Sequence, residues 1–140
     1  MIGFTGTRWG MTPQQKNSVD RLLVGVKSVV HGGCIGADSD FHKLARLHSC
    51  YTIVYPSNIQ HTHGDYQNAD EIMPELPPLE RDRIIVNLCT TLIATPKGYK
   101  EELRSGTWTT VRYARRKDIM FGIDIIIVTP DGMLHYGGSI

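Results

Sequence analysis

Ser28-Val29-Val30-His31-Gly32-Gly33-Cys34-Ile35-Gly36-Ala37-Asp38 is the stretch on which the fold turns. Ser28 to His31 reads as a short strand, the glycines after it as a turn, and from Asp38 onward Phe41, Leu44, Ala45 and Leu47 recur at helical spacing. A strand that ends in a glycine turn and opens into an amphipathic helix is half of a βαβ crossover. The same grammar stands upstream. Met1 to Phe4 is short and apolar and runs into Thr5-Gly6-Thr7-Arg8. Thr12-Pro13-Gln14-Gln15 then supplies a hydroxyl cap, a proline at the first helical position and a glutamine three residues after the cap, with Val19, Leu22, Leu23 and Val26 along one face.

Downstream, Tyr51 to Tyr55 reads as a third strand closed by Pro56. Residues 57–77 lose periodicity and fill with His, Asn, Gly, Asp and Pro, which predicts a long loop or ligand-covering lid. A helix over Leu79–Leu88, a fourth strand over Thr91–Ala94, a helix over Ser105–Lys117 and a fifth strand over Asp124–Val128 follow, the last apolar enough to be buried on both faces. Thr129-Pro130-Asp131-Gly132 is a turn, and Met133 to Tyr136 forms an additional edge strand. This alternation predicts an α/β, Rossmann-like three-layer fold: a mainly parallel five-stranded sheet with helices on both faces. A chain of 140 residues suits one domain, residues 1–140.

Composition narrows the function. Apolar residues make up 41% of the chain and charged ones 21%, the mix of a folded globular protein. Fifteen Lys plus Arg against fourteen Asp plus Glu leave a net charge of +1, so bulk electrostatics will not draw the chain to nucleic acid or an anionic membrane. The three cysteines are an odd count without a CxxC pair, which suits a reducing compartment. With no basic leader and no apolar run of membrane-span length, the expected location is the cytoplasm.

In such sheets ligands bind beyond the carboxyl ends of the strands, where strand order reverses. Three polar glycine turns fall there: Thr5-Gly6-Thr7-Arg8, Gly32 to Asp38, and Arg104-Ser105-Gly106-Thr107 at the start of the last helix. Glycine lets the backbone approach a ligand, and amide N–H groups at a helix N-terminus favour phosphate, so a phosphorylated small molecule is the expected occupant. Arg8 stands in its turn, where a guanidinium grips phosphate bidentately. Neither G-x-G-x-x-G nor G-x-x-x-x-G-K-[ST] occurs, so ordinary NAD dehydrogenase and P-loop ATPase readings lack their main support.

Gly32 to Asp38, followed by Phe41-His42 and Leu44-Ala45, resembles the GGA-x-G-hydrophobic-D-x-x-AH-x-x-A stretch of the DNA-processing protein A family. Arg81-Asp82-Arg83-Ile84-Ile85 is similar to that family's Arg-Asn-Arg-Ile-Ile, and Ser105-Gly106-Thr107-Trp108-Thr109-Thr110 with Ala114 to its SGSLITA segment. The motif order indicates the SLOG superfamily, which also holds the lonely-guy phosphoribohydrolases and nucleotide-sensing domains; the chain looks most like its small stand-alone bacterial and phage members. The resemblance implies a nucleotide or nucleotide-derived signalling ligand. Thr5, Gly6, Thr7 and Arg8 would hold one end, Gly32, Gly33, Gly36 and Asp38 the middle, and Arg104, Ser105, Gly106 and Thr107 the phosphate, with Arg81 and Arg83 as further candidates. Asp38 would accept from ribose hydroxyls. The lonely-guy enzymes follow P-G-G-x-G-T with two glutamates, one of them catalytic; here Trp108-Thr109-Thr110 stands there instead. Catalytic residues are therefore unassigned, with Asp38, Glu80, Glu101 and Glu102 as conceivable substitutes, and binding without turnover is the leading reading. Phosphoribohydrolase or N-glycosidase activity is the alternative.

Single-strand DNA binding comes third. Arg104, Arg112, Arg115, Arg116 and Lys117 make a local basic cluster, but the spacing fits a solvated helical face, and only Trp108 and Tyr113 stand near as stacking aromatics. One of Arg81 and Arg83 is expected to reach the ligand while the other pairs with Glu80 or Asp82. His61-Thr62-His63-Gly64-Asp65 has the look of a metal motif but lacks a fourth ligand, so no metal or cofactor is assigned. His31 and His42 read as packing or ligand-edge residues, and Cys34 has no evident base. A homo-oligomer is expected, with Leu79, Ile84, Trp108 and Val111 available either to a partner or to the core.

Overall fold

The computed structural model describes all 140 residues. Seven strands form one sheet: β1 (Ile2–Gly6), β2 (Ser28–His31), β3 (Tyr51–Val54), β4 (Glu71–Ile72), β5 (Thr91–Thr95), β6 (Asp124–Val128) and β7 (Leu134–Tyr136). Their order is β4-β3-β2-β1-β5-β6-β7, and every pairing is parallel except β6 with β7. The chain thus walks outward from β1 to one edge and returns to β1's other side with β5, making the strand-order reversal between β1 and β5. The four helices are α1 (Pro13–Leu22), α2 (Ala37–Leu47), α3 (Pro78–Leu88) and α4 (Gly106–Phe121).

The seven strands are the five of the predicted sheet and an edge strand at each side, of which only β4 lies outside the pattern. β7 is the expected edge strand. β4 lies within residues 57–77, too short and too polar to carry a period-two signal, and pairs along β3 through Ile53–Glu71 and Val54–Ile72. Helix α4 runs past Lys117 to Phe121, where Gly122 at φ 70° ends it.

Alternation along β5 and β6 divides the core. Ile93, Ile126 and Val128 pack with α1 and α2, whereas Leu92, Ala94, Ile125 and Ile127 pack with α3 and α4. Both layers exclude water, which is why β6 is apolar from Ile125 to Val128.

The capping box of α1 also joins layers. Thr12 Oγ1 accepts from Gln15 N at 3.0 Å, and Thr12 N donates to Gln15 Oε1 at 2.9 Å. Gln15, 1% exposed, then donates through Nε2 to Pro96 O at 2.9 Å and Val128 O at 2.8 Å. One amide therefore ties the start of α1 to the ends of β5 and β6. Replacing Gln15 with Ala strands two carbonyls in the interior and is expected to cost about 3 kcal/mol in urea denaturation. A loss below about 0.5 kcal/mol, the range of an ordinary surface change, would contradict this role.

Candidate functional site

Beyond the carboxyl ends of β1, β2 and β5 lies a cleft of about 490 Å³, at the strand-order reversal. Its walls bring together Thr5, Gly6, Thr7 and Arg8, the second turn through Gly32 and Asp38, Arg81 from α3, and Arg104, Ser105, Gly106 and Thr107. Ser105 caps α4 by accepting from Trp108 N at 3.2 Å. The first N–H groups of a helix have no intrahelical partner, so Gly106 and Thr107 bring that end of the helix dipole to the cleft wall.

Three of the sequence-derived residues lie elsewhere. Arg83 is exposed, with its guanidinium 5.3 Å from the centroid of the Tyr113 ring, because two positions along a helix turn it away from Arg81. Gly33 backs onto Tyr66 and Val54, and Gly36 lines a neighbouring cleft.

The second turn is glycine-rich chiefly for internal reasons. A Cβ on Gly32 would strike the Arg81 guanidinium, and one on Gly36, at φ 84°, would strike the backbone of Arg8. A Cβ on Gly6 would meet Thr95 and Ala37. Gly106 differs: a Cβ there meets nothing within 4 Å.

Arg81 is the buried hub. Its Nη1 donates to Gly32 O at 2.8 Å and Tyr55 O at 3.2 Å, and its Nε pairs with Asp82 Oδ1 at 2.7 Å. Asp82, expected from the sequence only as an ion-pair partner, also lines the cleft, with its pKa raised by burial. Asp38 accepts from Cys34 N at 3.1 Å, and burial, opposed by the Arg81 charge, lifts its pKa to about 6. Burial and then the Asp38 charge push the Cys34 thiol up to about 12, so it stays an S–H at neutral pH. Of the other carboxylates considered, Glu102 lines the cleft, Glu80 is exposed outside it, and Glu101 is committed to arginines.

Those arginines correct another expectation. Arg112 and Arg115 do not form a free solvated face: they reach Glu101 at 3.0 and 2.8 Å, and Arg112 also donates to Glu102 O and Leu103 O. Arg112 and Arg115 clamp the loop that carries Arg104. Trp108 and Val111 are core residues, closed to a partner or to a nucleic-acid base, while Leu79 is exposed.

Segment 57–77 is docked as a wall. Gly64 N donates to Gly33 O at 2.7 Å and Ile35 N to Thr62 O at 2.9 Å, and His61 and Thr62 line the cleft. His63 hydrogen-bonds through Nε2 to Ser57 O at 2.6 Å and through Nδ1 to Tyr66 Oη at 3.1 Å, its ring nitrogens thereby engaged within the segment. Behind the turn, Gly33 N donates to His31 Nδ1 at 2.9 Å, which leaves His31 Nε2–H to donate to His42 Nδ1 at 2.9 Å and His42 Nε2–H to donate to Asn68 Oδ1. Burial, reinforced by His42 and Arg81, lowers the His31 pKa to about 3.

No protein-family model and no curated protein matches the sequence. Solved structures do match in shape. A molybdenum cofactor binding protein from Rippkaea orientalis is 21% identical with a TM-score of 0.66, over 91% of this chain and 75% of its own. The structural-genomics target TM1055 is 12% identical with a TM-score of 0.60, over 83% of this chain and 68% of its own. DNA processing protein A from Streptococcus pneumoniae is 22% identical with a TM-score of 0.63, over 90% of this chain and 49% of its own. This chain shares the fold of all three.

His31 and Asp38 act on stability in opposite senses. His31 is neutral in the fold down to about pH 3, so stability falls as pH drops through 6.5, where the unfolded histidine charges. Asp38 holds its proton up to about pH 6, so its contribution is full below the unfolded value of 3.8 and is lost as pH rises through 6. Asp38→Asn is therefore expected to be more stable relative to the parent at pH 8 than at pH 3, by on the order of 3 kcal/mol in pH-resolved urea melts. A pH-independent difference would show that Asp38 titrates normally.

Proposed function

We propose that this protein binds a nucleotide-type ligand in the cleft between β1 and β5, with phosphate on the N-terminus of α4 and a neighbouring guanidinium. The observation that carries this reading is the convergence of the Thr5–Arg8 turn, the Ser105–Thr107 helix start, Arg81 and Arg104 on one cleft in a chain whose net charge is only +1. Local concentration of donors, not overall charge, supplies the attraction for an anion. The open space at Gly106 adds to it, since that glycine alone among the cleft turns meets no neighbour a side chain would displace. Fold-sharing proteins include one named for binding a molybdenum cofactor and one named for DNA processing, which agrees with a ligand-binding role and leaves the ligand open.

Gly106→Asp separates ligand from fold. The residue has room, and an acid in the first turn favours the helix dipole, so melting temperature should hold or rise. Binding of AMP, ADP-ribose or ribose 5-phosphate, measured by calorimetry on the parent, should weaken at least tenfold because a carboxylate then faces the phosphate. Unchanged affinity for all three would remove phosphate from this end of α4.

Asp38 and Asp82 favour a second reading, hydrolysis of an N-glycosidic bond. Asp38 is buried and Asp82 half-buried; both line the cleft with pKa values raised by desolvation, and such a group can deliver a proton to a departing base while water adds to the anomeric carbon. Incubation with AMP distinguishes the readings: free adenine and ribose 5-phosphate identify turnover, and intact AMP with raised melting identifies binding alone. If turnover occurs, Asp38→Asn or Asp82→Asn should lower it by roughly 10² to 10⁴ while AMP still binds.

A further inference from the structure

The end of the molecule opposite the cleft is apolar where water should have made it polar. Each helix leads from the carboxyl end of one parallel strand to the amino end of the next, so all four helices finish at that far end. Each finishes on a large apolar side chain in solvent: Val24 just past α1, Leu47 closing α2, Leu88 closing α3, and the last three residues of α4. Those three, Ile119, Met120 and Phe121, are 86%, 76% and 72% exposed. Sixteen residues make α4 about 24 Å long, whereas the five-residue strand β6 spans only about 17 Å. Full burial along α4 therefore ends at Ala114, and the final turn overhangs the sheet until Gly122 stops it. No core packing accounts for the apolar side chains of that turn.

Successive residues on a helix point about 100° apart, so Ile119, Met120 and Phe121 cover most of its circumference. A protein groove takes up one stripe of a helix, read at i, i+3, i+4 and i+7. A turn that is apolar on every side fits a fluid lipid layer, which closes around it. One turn reaches only about 5 Å, so the contact is shallow and the terminal carbonyls stay among hydrated headgroups. The neighbouring charges have the sign that an anionic layer recognises. Arg116, one turn back from Met120, shares the Tyr113 ring with Arg83, at 5.7 and 5.3 Å from its centroid, and neither guanidinium forms an ion pair. Lys117 donates to Val86 O at 2.7 Å and holds the end of α4 against α3. Arg21 and Lys27, at the end of α1, likewise form no ion pair. The acids at this end are largely committed: Asp20 to His48 at 2.7 Å, Asp70 to Arg46 at 2.6 Å and Asp118 to Ile123 N at 3.0 Å, which leaves Asp124 exposed.

We propose that this end of the protein docks on an anionic lipid surface, with the last turn of α4 inserted among the headgroups and the cleft facing away into water. Apolar insertion supplies the hold. Arg21, Lys27, Arg116 and Lys117 supply the preference for anionic lipid, each acting within a Debye length of the surface. A net charge of +1 would not bring the chain there; the local distribution of that charge does. No helix is long and apolar enough to cross a membrane, and the contact proposed is with one leaflet only. It does not depend on what the cleft binds.

Sedimentation with lipid vesicles tests the proposal on the full chain. The protein is expected to bind vesicles of phosphatidylcholine mixed with phosphatidylglycerol at least tenfold more tightly than phosphatidylcholine alone, and to be released as salt rises. Met120→Gln combined with Phe121→Gln should weaken binding at least tenfold, with circular dichroism and thermal melting unchanged because both side chains stand in solvent. Lys27→Gln combined with Arg116→Gln should remove the preference for phosphatidylglycerol. Leu103→Gln, which takes an apolar side chain from solvent in the loop beside the cleft, should change nothing. Absence of sedimentation, equal binding to both vesicle types, or binding indifferent to the Met120 and Phe121 changes overturns the assignment. So does equal loss on Leu103→Gln, which would mark general stickiness. A dimer in light scattering that Phe121→Gln dissolves, with no protein on the vesicles, overturns it in favour of a second copy of this chain.

Discussion

A guanidinium held among main-chain carbonyls organises the working edge of this protein. Arg81 projects from α3 into the space just past β2 and β3, where Gly32 O and Tyr55 O each accept one of its protons and Asp82 balances its charge. Withdrawing one partner from a buried charge is costly, commonly 3–5 kcal/mol, so these groups stand or fall together. The residue explains its surroundings as much as they explain it: position 32 has no room for a Cβ because the guanidinium is already there. A helix on one face of the sheet is thereby fastened to the turn that opens a helix on the other, and the cleft lies at that junction.

The opposite wall is fastened by charge pairs nearer the surface. Glu101 receives both Arg112 and Arg115, whose hydrogen bonds hold its carboxyl below the usual range, and Arg112 adds two carbonyls from the same loop. Individually such exposed pairs contribute little, but a bidentate network on one short loop fixes geometry. Lys117 extends the clamp by donating to Val86 O at 2.7 Å, joining α4 to α3. Arg104 is left for the cleft.

The alternation of strand and helix was legible because burial on both faces leaves a long apolar imprint, as in Ile125 to Val128. Thr12 and Gln15 announced the first helix through local chemistry, but nothing in the spacing announced that Gln15 would also bridge β5 and β6, a contact made across more than eighty positions. Glu71–Ile72 escaped notice since two residues hold no period. At the site, the three glycine turns were visible, yet the reason for their glycines was not: ligand access and internal crowding write the same letter. Asp82 could be read from the sequence as an ion-pair partner but not as part of the cleft wall, because that place is set by what surrounds it rather than by any motif.

The histidines behind the second turn illustrate how direction can be built into a hydrogen-bond chain. A main-chain amide sits at one end of His31 and a carboxamide oxygen at the far end of His42, so every proton in the series points the same way. Reversing the sequence would force two donors together at Gly33, since a peptide N–H cannot turn acceptor. The array is for that reason a rivet and not a proton wire: it locks the glycine turn to Asn68 and cannot pass charge between the cleft and bulk water.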